Sequence, residues 1–77
     1  MDRATANEVL KSFIGHIDQA LSEAASVARA AKVCAETGNL RAATKMVMDI
    51  EDPAYRAQQM LKATLLIRGE LLDEVLD

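Results

Sequence analysis

The chain is poor in the residues that staple or catalyse. It has one Cys and one His in 77 residues. A single thiol forms no internal disulfide, and one Cys with one His leaves too few soft ligands for a structural zinc site. A lone thiol suits a reducing compartment, so the expected location is cytoplasmic. Aromatics are nearly absent: Phe13 and Tyr55 stand alone, without a Trp. Alanine fills much of that gap and lets helices approach closely. Nine Lys and Arg face twelve Asp and Glu, a net charge of −3. Phosphate-backbone affinity comes from clustered Lys and Arg, so no direct nucleic-acid binding is expected. No charge-free run reaches the roughly 18 residues of a membrane span, and the first residues lack a signal-peptide apolar region.

Catalytic spacings are missing too. His16 lies near Ser12, Gln19 and Glu23 in sequence, without the convergent partners of a metal or acid–base site. Cys34 falls at an inward position, where a thiol is inert. Glu51 and Asp52 are adjacent carboxylates, but Asp52 is explained as a helix cap. There is no Glu-x-x-His of a di-iron bundle, no phosphate-cradling glycine loop and no nucleophile elbow. Arg3, Arg29, Arg41, Arg56 and Arg68 are dispersed and read as solvated charge. The expectation is no enzyme: no catalytic residue, no cofactor, no metal and no small-molecule substrate.

What the chain does have is periodicity. Leu10, Phe13, Ile17, Ala20, Ala24, Val27, Ala31 and Cys34 recur at steps of three and four. Ile14, Leu21, Ala28 and Ala35 widen the stripe, the pattern of an amphipathic helix over four heptads. Thr5 with Glu8 reads as a capping box, with Asp2 as a competing cap. Gly15 falls on the polar face and reads as tolerated within a continuous helix. Gly38 then supplies a left-handed stop, and Asn39 caps the next helix. Leu40, Ala43, Val47 and Ile50 face inward there, with Met46 beside them. Asp52 and Pro53 mark a third start. Its inward face is Ala57, Leu61, Thr64 or Leu65, Leu72 and Val75 or Leu76. Gly69 is a possible split. The prediction is a single all-α domain, residues 1–77. It has a three-helix arrangement over about 6–36, 40–50 and 53–76, completed by dimerisation.

Length decides how these helices match. At about 1.5 Å per residue they run roughly 45, 20 and 35 Å. The Gly38 turn and the Pro53 turn are each expected to reverse the chain, so that the third helix runs roughly parallel to the first and overshoots its end. Two apolar overhangs are then bare: Leu10, Phe13, Ile14, Ile17 and Leu21 at one end, and Ile67, Leu71, Leu72 and Val75 at the other. A soluble protein rarely leaves such a patch uncovered, and a two-fold contact would bury both. In the competing arrangement Gly15 bends the first helix and the chain closes on itself.

The stretch Ala35-Glu36-Thr37-Gly38-Asn39-Leu40, with Ala43 and then Asp52-Pro53, resembles a degenerate tetratricopeptide-type hairpin over about residues 27–63. What the resemblance implies is a helical hairpin used for protein contact. The functional expectation is a small protein–protein interaction module, an adaptor, regulator or chaperone-like protein, partnered by itself or by another protein. The alternative is a small acidic inhibitor, phage- or antitoxin-like, that sets Asp49, Glu51, Asp52 and the acids of 70–77 against a basic machine.

Overall fold

The computed structural model describes residues 2–76, and the side-chain environments of residues 2–69. The described chain is all-helical, as expected. Helix α1 spans Arg3–Glu36, α2 spans Leu40–Val47, a 3₁₀ turn covers Met48–Ile50, and α3 spans Glu51–Leu76.

The first cap is Asp2, three residues before the Thr5 start that the sequence suggests. Its carboxylate accepts the Thr5 backbone N–H at 2.9 Å and the Thr5 hydroxyl at 2.8 Å. Thr5 is therefore the third helical residue, spending its hydroxyl on the real cap. From there α1 runs unbroken through Gly15, around which an added Cβ would meet nothing within 4 Å. Its end is a Schellman motif. Gly38 takes φ +93°, its N–H donates to the Ala35 carbonyl, and the Asn39 N–H donates to the Cys34 carbonyl. Asn39 then accepts the Ala42 N–H at 3.1 Å and opens α2.

The second break does not reverse the chain. Val47, Met48 and Glu51 all keep right-handed helical dihedrals. The 3₁₀ turn only tightens the coil, and Pro53 sits inside the first turn of α3, where its missing N–H leaves no bond unmade. So α2, the turn and α3 form one return arm antiparallel to α1. The pairing shows the direction: Ala28, Ala31 and Ala35 meet Leu40, Ala43 and Val47; Glu23 meets Arg56; His16 and Gln19 meet Gln59 and Met60. The molecule is a two-armed hairpin of 55 × 17 × 15 Å. Its length matches that of α1, about 51 Å for 34 residues. The expected three-rod packing and its overshooting third helix are corrected accordingly. A cap signal says that a helix starts, not which way it points.

This geometry also corrects the overhangs. Leu10, Phe13 and Ile17 are half-buried alongside α3 rather than bare, and so is Ile67. Leu71, Leu72 and Val75 lie outside the residues whose side chains are described. The seam between the arms is narrow and made of small side chains. Ala6, Ala20, Ala31, Ala43 and Ala57 are its buried apolar residues, joined by Pro53, and among the described residues no large side chain is fully buried.

Candidate functional site: an apolar face on the hairpin

Each arm has a single neighbour, so only one stripe of each helix is shielded. On α1 the shielded stripe includes Phe13, Ala20, Val27 and Cys34, all buried or half-buried. The next residues, Ile14, Leu21, Ala28 and Ala35, repeat every seven positions about 100° further round the helix. Ile14 and Leu21 remain 56% and 53% exposed. The widening of the apolar pattern on α1 therefore faces outward.

The return arm carries the matching set. Leu40, Val47, Ala54 and Leu61 also repeat every seven residues, and all are exposed. Leu40, Val47 and Leu61 were expected inward; a hairpin without a third rod has nothing to cover them. Leu65 adds to the same side, one turn beyond Leu61 and 52% exposed.

A shared groove places the turn-side members of the two sets on one face, and the seven-residue repeats continue it along each arm. Ala28, Ala31, Lys32 and Ala35 border a groove of about 340 Å³ whose other wall is Leu40, Ala43, Thr44, Val47 and Ile50. The opposite face carries the ion pair between the arms. There Arg56 bridges the arms, donating from Nη2 to Glu23 and from Nε to Asp52 at 3.0 Å. These partners, Glu23 first, raise the guanidinium pKa above its ordinary value. Arg56 also lines a hollow there, together with His16, Gln19, Tyr55, Gln59 and Met60. His16 Nδ1 donates to the Ser12 carbonyl at 2.7 Å, so its ring is held along its own helix. Arg56 thus joins the two arms of the hairpin, a contact that dispersed arginines do not reveal in sequence.

Of the exposed large apolar residues, Ile14, Leu21, Leu40, Val47, Leu61 and Leu65 share the apolar face, while Val33, Met48, Tyr55 and Leu66 fall elsewhere. Met48 and Tyr55 flank a shallow acidic hollow with Asp49, Glu51 and Asp52. Cys34 is a half-buried free thiol at the seam. Among the described residues no three His, Cys, Asp or Glu side chains gather as a metal site would require, and no helix is long and apolar enough to cross a membrane. The residues brought together are apolar and helical, and what they can do is pack against further helices. Comparison with protein-family models, curated proteins and solved structures finds no match for this chain.

Proposed function

We propose that the chain is a small, non-enzymatic protein–protein interaction module of the cytoplasm, an adaptor or regulator that works through its apolar face. One observation carries this reading. Among the described residues the hairpin seals only alanines and a proline between its arms, and it leaves six large aliphatic side chains, Ile14, Leu21, Leu40, Val47, Leu61 and Leu65, about half exposed or more on one side. Covering the exposed half of each contributes about 1 kcal/mol. That sum is a large fraction of the stability available to a domain of this size.

The test places a charge on the face. Leu21→Asp and Leu61→Asp are expected to abolish association, measured by light scattering, while far-UV circular dichroism keeps its helical signal. Leu66→Asp, on an exposed side chain off the face, is the control and leaves association intact. Equal behaviour of all three variants and the unmodified chain contradicts the reading.

The acidic hollow supports a second reading, an inhibitor that docks on a basic protein. Met48 and Tyr55 give it apolar contact area beside Asp49 and Glu51. Such binding falls steeply as salt rises; affinity for a basic target that is unchanged between low and high salt argues against it.

A further inference from the structure

Ile14, Leu21, Ala28 and Ala35 form a stripe with a size gradient. Its two bulky members lie toward the open end of the hairpin and its two alanines toward the Gly38 turn, where they border the groove. The midpoint of the stripe falls between Ala24 and Ala25. A two-fold axis at that level, lying in the plane of the face and across the helices, pairs Ile14 with Ala35 and Leu21 with Ala28 of a second copy. Along α1 large side chains meet small ones at every step, which is how facing helices interdigitate without voids. Two bulky halves stacked on each other would clash, and two alanine halves would leave a gap.

Charge gives the same register independently. Asp18 and Lys32 border this face, four residues after Ile14 and Ala28 respectively. Both are exposed, and among the described residues neither enters an ion pair. Their midpoint is Ala25. The same axis therefore brings Asp18 of each copy to Lys32 of the other, twice per dimer. The area is adequate as well. From Ile14 to Ala35 the stripe is about 32 Å long. With the 17 Å width of the hairpin, the footprint is about 550 Å² per copy and about 1,100 Å² for the pair, just above the ~1,000 Å² that a specific interface needs.

We infer that the occupant of the apolar face is a second copy of this chain, packed face to face with the two Gly38 turns at opposite ends, so that α1 lies antiparallel against α1 and the whole is a four-helix bundle. This rests on the interaction reading above and names its partner and register.

A charge exchange tests it. Asp18→Lys and Lys32→Asp, each alone, set like charges against each other at two places, and are expected to weaken dimerisation about tenfold at low salt by sedimentation equilibrium. The double variant D18K/K32D restores it. Mixing the two single variants yields the heterodimer in preference to either homodimer, because both cross-pairs become opposite in sign. A second arm uses Ala25→Cys with Cys34→Ala. Position 25 faces itself across the axis, so mild oxidation crosslinks the dimer through this cysteine. The arrangement with both turns at the same end sets α1 against the return arm and gives no such crosslink. Indifference to the charge exchange together with no crosslink overturns this register, and Leu21→Asp still reports separately on the face. An unmodified chain that stays monomeric up to about 500 µM overturns the second copy itself.

Discussion

Asp2 holds the first turn of α1 with both carboxylate oxygens engaged by Thr5. These bonds, the Thr5 backbone N–H first, lower its pKa below the ordinary 3.8. A carboxylate whose folded pKa is depressed contributes stability that is present above its unfolded pKa and lost as pH falls through the folded value. Helicity near the N-terminus is therefore expected to weaken below about pH 4. Asp2→Asn keeps a good cap but removes the titration. The difference between its thermal midpoint and that of the unmodified chain should shrink on acidification. Melts followed by circular dichroism on both sides of that pH check it, and a difference that does not change with pH contradicts the assignment. Arg56 is the other residue of consequence. It joins α3 to α1 through Glu23, and to its own helix through Asp52. Arg56→Ala is expected to lower the melting temperature without changing helix content at low temperature.

At the scale of elements, two glycines behave oppositely. Gly38 has φ +93°, a conformation that costs a residue with a Cβ about 1–2 kcal/mol. Gly38→Ala should destabilise the hairpin by about that much in urea titrations. Gly15 lies mid-helix and exposed, with open space around it. Gly15→Ala should stabilise by about 1 kcal/mol. A reversed sign for either contradicts the helix assignments. These elements were legible in the sequence because caps and left-handed stops are local: Gly38, Asn39 and the stripe from Leu10 to Cys34 all read directly. The direction of the chain after Ile50 was not legible. A 3₁₀ turn with helical dihedrals and a true reversal both end in an Asp-Pro start signal. From that one ambiguity come the expected overhangs and the inward placement of Leu40, Val47 and Leu61, and it hides the bridge from Arg56 to Glu23, which forms where the antiparallel arms meet. Two apolar residues of the face were nonetheless visible: Ile14 and Leu21 stand out in the sequence as bulky side chains in want of cover, though the reason is a hairpin only one layer thick rather than an excess of length.

At the scale of the molecule, a hairpin one helix thick on each side cannot enclose a core. Its width of 17 Å and depth of 15 Å leave every large side chain among the described residues within reach of water, and helical domains usually solve this by packing a second layer. In the proposed dimer a second copy supplies that layer, which would tie folding stability to protein concentration. The melting temperature should accordingly rise with chain concentration. The most direct measurement is sedimentation equilibrium of the unmodified chain from about 5 to about 500 µM, with Leu21→Asp run alongside. The account predicts a reversible approach to twice the chain mass for the unmodified protein, and the mass of a single chain throughout for the variant. A single-chain mass for both at every concentration, with the melting temperature unchanged across the range, would contradict it.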